Sequence, residues 1–305
     1  MSRHTPVRGD GRIAFVLSGG SSLGAVQVGM LQALTETGLR PDFLIGTSVG
    51  AVNAAWMAAQ PDHDGAVQLG EIWLSLRRQD IFPLNPWVGA AGLLGRCNHM
   101  VANTNLRALL EKHMPFQRIE DAKVPLHIIT TELKTGRAVV HSSGPVVPAL
   151  LASTAIPGVF PPVTIGRRDY VDGGVANHTP ITAAIELGAA EIYVLPVGYP
   201  WTLQEPSNAL GMALYALARF VEQKLDAEVK ANKGLAAIHV LPAPDPPSIS
   251  PADFSRTAEL ISRGLKSARR YLGANERPEK EQAEKHQQPE NPLRLHPNPS
   301  PARAA

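Results

Sequence analysis

Phe43-Leu44-Ile45-Gly46-Thr47-Ser48-Val49-Gly50-Ala51-Val52-Asn53-Ala54-Ala55-Trp56-Met57-Ala58-Ala59 joins a short apolar run to a stretch of small residues through a tight turn. The pattern reads as strand, sharp turn and helix, with Ser48 at the apex. Gly46 and Gly50 remove side chains where such a turn would collide with its neighbours, and glycine accepts backbone angles that other residues resist. A serine held there projects its hydroxyl above the end of a sheet, at the positive end of a helix. Gly-x-Ser-x-Gly in this setting is the nucleophile elbow of serine hydrolases. Taken alone, the pattern fits an inert serine on a strand-to-helix turn equally well.

Two other segments bear on the choice. Ile13-Ala14-Phe15-Val16-Leu17-Ser18-Gly19-Gly20-Ser21-Ser22-Leu23-Gly24 runs from an apolar strand into a glycine-rich turn, and the spacing of Val28, Leu31 and Leu34 reads as the helix that follows, closed by Gly38. Backbone N–H groups at such a turn, with the helix dipole behind them, suit a phosphate or a transition-state oxyanion. Gly19, Gly20 and Gly24 loosely imitate a dinucleotide-binding turn, but that reading needs an acidic residue closing the second strand. Asp42 precedes that strand, and its end carries Gly46 and Ser48. Tyr170-Val171-Asp172-Gly173-Gly174 then places a carboxylate at a strand end on a Gly-Gly turn, with Thr179 expected as the cap and Pro180 as the first residue of the next helix. Three glycine-supported loops, each after a strand, are where open α/β sheets gather their functional groups.

The glycine turn, the serine elbow, the run Ala152-Ser153-Thr154-Ala155-Ile156-Pro157-Gly158-Val159-Phe160-Pro161-Pro162 and the Asp-Gly-Gly turn occur in an order that resembles bacterial patatin-like phospholipases, over residues 12–272. The resemblance implies a three-layer α/β/α fold with a largely parallel central sheet, and hydrolysis of acyl esters by a serine–aspartate dyad without a cofactor or metal. It implies Ser48 as nucleophile, Asp172 as its acid–base partner, and Gly19, Gly20 and Ser21 as the oxyanion hole, with Gly24, Gly46, Gly50, Gly173 and Gly174 supporting the turns. One departure stands out. The family's turn usually reads Gly-Gly-Gly-x-Arg/Lys-Gly, whereas here Ser21 takes the third glycine position and Leu23 the basic one. The Ser21 change costs about 1 kcal/mol if the turn keeps its angles, and the missing cation bears on headgroup preference more than on ester hydrolysis.

Serine attacks an ester well only when a base takes its proton. Burial raises the pKa of an aspartate and makes it a better proton acceptor. A Ser-His-Asp triad is the rival arrangement, with His178 or His239 as the histidine. His239 lies in an apolar strand-like run, while His178 sits six positions past Asp172 and can line the site. An elbow after only the second strand comes early for the α/β-hydrolase fold, which favours the dyad. An acyltransferase sharing the acyl-enzyme and a non-catalytic lipid-binding protein are the other function classes the residues leave open.

Composition agrees with an enzyme of one substantial domain. The chain has 305 residues, 44% of them hydrophobic, and a net charge of +2 that implies no nucleic-acid partner. The single cysteine, Cys97, excludes an internal disulfide and fits a reducing compartment. A cytoplasmic location, peripheral to a membrane at most, is expected: the first residues lack an apolar signal core, and the uncharged stretch 145–163 holds five prolines. Lipid or acyl-ester substrates and transient membrane-surface contact are the expected partners. Strands are expected near 13–18, 43–46, 125–131, 137–141, 168–171, 191–196 and 236–241, with helices between them, including one over 207–231. A last helix, capped by Ser250 and Pro251, should bury Phe254, Ala258, Ile261, Leu265, Ala268 and Leu272 and stop at Gly273. The expected organisation is therefore a flexible start (1–11), one hydrolase domain (12–273) and a polar, proline-rich tail (274–305) without fixed structure. The apolar, Pro- and Gly-rich segment 81–96, which includes Trp87, Leu93 and Leu94, reads either as a lid beside Ser48 or as a packed connector.

Overall fold

Alternation along β1 (Arg12–Leu17) shows how the sheet is covered. Phe15 and Leu17 enter one apolar cluster, Ala14 and Val16 another, and all four are fully buried. A strand buried on both faces belongs to the middle of a parallel sheet with helices on either side. The computed structural model describes residues 11–83, 98–198, 212, 224–244 and 252–286, with 274–286 described by backbone alone.

Among these residues the sheet also contains β2 (Phe43–Thr47), β3 (Leu126–Glu132), β4 (Ala138–His141), β5 (Val163–Ile165), β6 (Arg168–Asp172), β7 (Ala189–Leu195) and β8 (Ala237–Val240). Their order is β5-β6-β3-β2-β1-β7-β8, with β4 also paired to β3. The run β3-β2-β1-β7-β8 is parallel. Antiparallel pairs join β3 to β4, β3 to β6 and β5 to β6. The larger apolar cluster packs α1 (Ala25–Glu36), α2 (Val49–Ala59), α3 (His63–Ser75) and the helices Thr104–His113, Val146–Ser153 and Thr257–His286 on one face. Ile181–Glu186 and the helical residues 224–231 cover the other.

The apolar stretch 145–163 folds as the short buried helix Val146–Ser153 followed by irregular chain and β5. Among the described residues no helix is long and apolar enough to cross a membrane.

Several expectations are corrected. Thr179 does not cap the helix after the Asp-Gly-Gly turn; Pro180, at ψ 58°, occupies the cap position and the helix begins at Ile181. β5 went unforeseen because three residues between two prolines and a glycine carry no readable period. The last helix runs from Thr257 through Gly273 to His286, since a glycine ends a helix only where the chain turns left-handed. Its most buried stripe is Leu260, Gly264 and Ala268, while Ala258 is exposed. Gly264 sets that rotation: a Cβ there would strike the Val26 carbonyl of α1, so the two helices meet backbone to backbone. Segment 84–97 with Trp87, Leu93, Leu94 and Cys97, most of 207–231, Ser250 and Pro251, residues 1–10 and residues 287–305 lie outside the described residues.

Candidate active site

Strand register brings Ser48 and Asp172 together. Thr47 pairs with Ile129 across β2–β3, and Thr130 pairs with Asp172 across β3–β6. Ser48, one residue past Thr47, therefore stands level with Asp172 at the carboxyl edge of the parallel strands. Its Oγ donates a 2.7 Å hydrogen bond to Asp172 Oδ2. Asp172 Oδ1 accepts 2.7 Å from the Gly174 N–H, so both carboxylate oxygens are engaged.

The elbow is strained and braced. Ser48 has φ 54°, a backbone state that costs a non-glycine residue about 1–3 kcal/mol. A Cβ on Gly46 would strike the Gly50 carbonyl, and one on Gly50 the Leu17 carbonyl, so only glycine fits either place. The Ser48 N–H donates to Ser153 Oγ at 2.8 Å, and Ser153 Oγ donates to Ile129 O at 2.6 Å. On the other side, Asp172 is fixed by its N–H to Ala155 O at 2.9 Å and by Thr131 Oγ1 to its carbonyl at 2.9 Å.

The glycine turn abuts Ser48. A Cβ on Gly19 would lie 3.2 Å from Ser48 Cβ. Gly20, at φ 151°, starts the turn Ser21–Gly24, closed by Leu23 N–H to Gly20 O at 3.1 Å. Ser21 adopts φ 52°, the left-handed state a glycine takes more cheaply. Leu23 is buried in the larger apolar cluster, so the position that is usually basic contributes packing here. Gly24 leaves room for Val49 and Gly173 for the Ile129 carbonyl. The Gly19 N–H is tied to His178 O at 3.4 Å.

A buried polar network that sequence reasoning missed holds this turn. Gln27 Nε2 donates to Ser18 O and Leu195 O at 2.8 and 2.9 Å. Asn53 Nδ2 donates to Gln27 Oε1 and Gly24 O, each at 3.0 Å, and Trp73 Nε1 donates to Asn53 Oδ1 at 2.9 Å. Gln27 and Asn53 are fully buried. Their signal was present in the sequence as lone polar residues within the apolar runs of α1 and α2, since buried polar groups need partners.

Burial pushes the Asp172 carboxyl up to about 6, against the Ser48 and Gly174 hydrogen bonds that pull it down. His178 is buried against Gly19 and Gly174, and burial, with the nearby Lys224 charge, pushes its pKa down to about 4 despite a backbone hydrogen bond at Gly19 that favours the cation. At neutral pH it is uncharged. Among the described residues no histidine stands between Ser48 and Asp172, which bond directly, so the triad arrangement is not formed there. His239 lies on β8, three strands from β2, where it pairs with Glu191 at 3.3 Å and stacks on Tyr193. Asp42 accepts from the Ile13 N–H at 2.6 Å, at the end of β2 away from Ser48, which removes the nucleotide reading. Among the described residues no cluster of His, Cys, Asp or Glu suits a metal.

Ser48 and Ser21 open onto an apolar cavity of about 100 Å³. Val49, Val52 and Trp56 of α2, Leu69, Ile72 and Trp73 of α3, and Leu106, Leu109 and Leu110 supply much of its wall. Phe82, Phe160 and Phe254 close it as a contacting aromatic group, with Phe82 stacked on Phe160 at 5.4 Å and Trp73 on Phe254 at 6.1 Å. A strained serine bonded to a carboxylate of raised pKa, at the mouth of an apolar cavity, can hold an acyl chain and bring its ester to a nucleophile.

The sequence pattern described as patatin-like phospholipase matches residues 15–185. The chain belongs to the patatin-like phospholipase family. Rat patatin-like phospholipase domain-containing protein 7 is 28% identical over 188 residues, covering 61% of this chain and 14% of the relative. Lysophospholipase NTE1 of Mycosarcoma maydis is 25% identical over 194 residues, covering 61% of this chain and 10% of the relative. These are animal and fungal proteins, so the matches establish the family and not its bacterial branch; in each, the shared region is a small part of a longer chain. Among solved structures, VipD from Legionella pneumophila aligns over 87% of this chain and 67% of its own, at 14% identity and a TM-score of 0.48.

Proposed function

We propose that this chain is a serine acyl-ester hydrolase acting on lipid esters, with Ser48 as nucleophile and Asp172 as its acid–base partner. The observation that carries the reading is the 2.7 Å Ser48 Oγ to Asp172 Oδ2 bond at the mouth of the apolar cavity. Asp172 takes the Ser48 proton as Oγ attacks the ester carbonyl, and the carbonyl oxygen gains the negative charge. Collapse of this intermediate expels the alcohol, which takes the proton from Asp172, and leaves an acyl-Ser48. Water then attacks with Asp172 again as base, releasing the fatty acid and restoring Ser48. An aspartate with a pKa near 6 suits a base working near neutrality.

The backbone N–H groups of Gly20 and Ser21 are the proposed donors to the oxyanion, with Gly19 bracing the turn through His178. Each such donor contributes about 100- to 1000-fold in rate. The phospholipase and lysophospholipase names of the two relatives make single-chain and two-chain phospholipids the first substrates to try. Cytoplasmic action at a lipid surface, by a catalytic unit spanning 12–273, belongs to the same proposal, and cosedimentation with phosphatidylcholine vesicles checks the surface contact.

The deciding experiment treats wild type, Ser48→Ala and Asp172→Asn with a fluorophosphonate probe and then with acyl esters of increasing chain length. Wild type should label at Ser48 and both variants should lose turnover. Folded wild-type protein that neither labels nor hydrolyses any ester would end the enzyme reading.

A further inference from the structure

Ile129 in β3 is a common reference for both halves of the candidate site. Its carbonyl accepts the Ser153 hydroxyl at 2.6 Å, and that hydroxyl accepts the Ser48 N–H at 2.8 Å. The same carbonyl packs so closely on Gly173 that no side chain fits between them. One peptide unit thus fixes the elbow through Ser153 and the Asp172 turn by direct contact. Ser153 and Ile129 are fully buried, so water does not supply a substitute partner without opening the core.

We infer that Ser153 is a positioning residue for catalysis, holding the strained Ser48 backbone so that its hydroxyl meets Asp172. The inference rests on the proposed roles of Ser48 and Asp172 and adds the element that keeps them in register. Three features of the chain require it. Ser48 stands at the head of α2 with φ 54°, where its N–H has no intrahelical carbonyl to reach. Ser153 is the last residue of its own helix, and its hydroxyl reaches across to β3 instead of back along the helix as the neighbouring Thr154 does to Leu150 O. The hydrogen-bond chain is also directional: because the Ser153 proton goes to Ile129 O, the oxygen presents a lone pair to the Ser48 N–H. The Ser48 N–H is thereby committed to Ser153, which leaves oxyanion binding to the glycine turn.

Removing this hydroxyl strands two buried groups and frees the elbow to relax out of its strained state. The Ser48–Asp172 bond then lengthens, and since that bond holds the Asp172 pKa down, the carboxyl titrates higher.

The test compares wild type, Ser153→Ala, Ser153→Cys and, as a control for loss of a buried hydroxyl elsewhere, Thr35→Val on α1. Ser153→Ala should lower kcat and the rate of fluorophosphonate labelling together by at least 10-fold, with KM for a short-chain ester within 2-fold. Its acid limb should move above the wild-type value, and the Ser48 amide should exchange hydrogen at least 10-fold faster. Ser153→Cys should fall between wild type and alanine, and it carries the comparison if the alanine protein does not fold. Thr35→Val should lose stability alone. Unchanged labelling, acid limb and Ser48 exchange in a folded Ser153 variant overturn the inference even when wild type labels at Ser48. Failure of folded wild type both to label and to hydrolyse any ester overturns the hydrolase reading, while the exchange measurement still decides whether Ser153 clamps the elbow.

Discussion

Thr130 sits directly opposite Asp172 in the antiparallel β3–β6 pair, one residue beyond the Ile129 that pairs with Thr47. That offset sets the height at which the carboxylate meets Ser48, and it makes the antiparallel edge of the sheet as important to the site as its parallel centre. A one-residue slip of β6 would point Asp172 to the opposite face and separate it from Ser48.

The pH dependence of turnover follows from the buried carboxylate. In its proposed role as base, Asp172 must be ionised to accept a proton, and burial raises its pKa to about 6. The value of kcat/KM should therefore fall tenfold per pH unit below about 6, with a single acid limb. A limb near 4 would mean that the carboxylate is not desolvated in the working enzyme.

Asp172 and His178 should oppose each other in the pH dependence of stability. The Asp172 pKa is raised on folding, so its contribution is full below about 4 and lost as pH rises through about 6. The His178 pKa is depressed to about 4, so its contribution is full above about 6.5 and lost as pH falls through 4. Each swing is worth about 3 kcal/mol, and they nearly cancel in wild type. Asp172→Asn removes one of them. It should be more stable than wild type at pH 7 by up to about 3 kcal/mol, with the gap closing toward pH 4. Urea unfolding at both values checks the sign.

The two departures in the glycine turn should behave oppositely when reverted. Ser21→Gly relieves a left-handed residue and should raise stability by up to about 1 kcal/mol while keeping fluorophosphonate labelling. Leu23→Arg places a cation at a position now 3% exposed within the apolar cluster. It should cost about 2–4 kcal/mol, because burial of an unpaired charge adds to the lost packing. Thermal unfolding of the two proteins separates the cases. A stabilised Leu23→Arg would show that the side chain reaches the rim and that the turn still accepts the usual residue.

Much of this arrangement was legible because glycine sterics are local. Gly46 and Gly50 marked the elbow, Gly173 and Gly174 marked the Asp172 turn, and a short strand leads into each. The supporting frame was not legible, because its contacts join distant segments: Ser48 to Ser153 and Gln27 to Leu195 have no sequence period. Gly264 shows the same limit in the fold. Helical spacing favoured a stripe through Ala258, yet the close approach to Val26 turned the helix so that Leu260, Gly264 and Ala268 face inward. A period predicts that a helix has an apolar face, and the neighbour it meets decides which residues occupy it.

Val52 offers a direct test of the cavity as the acyl site. It lies one helical turn past Ser48 on α2 and lines the cavity beside it. Val52→Phe adds bulk near the reacting centre without touching Ser48 or Asp172. If the acyl chain enters this cavity, the variant should lose at least 10-fold in kcat/KM on a long-chain ester while an acetyl or butyryl ester stays within about 3-fold; one such overpacked residue costs roughly 1–3 kcal/mol of fit. A short-chain fluorophosphonate should label it near the wild-type rate, which separates a blocked acyl site from a damaged elbow. Equal losses on both esters with normal labelling would place the acyl chain elsewhere and leave the apolar cavity as packing space.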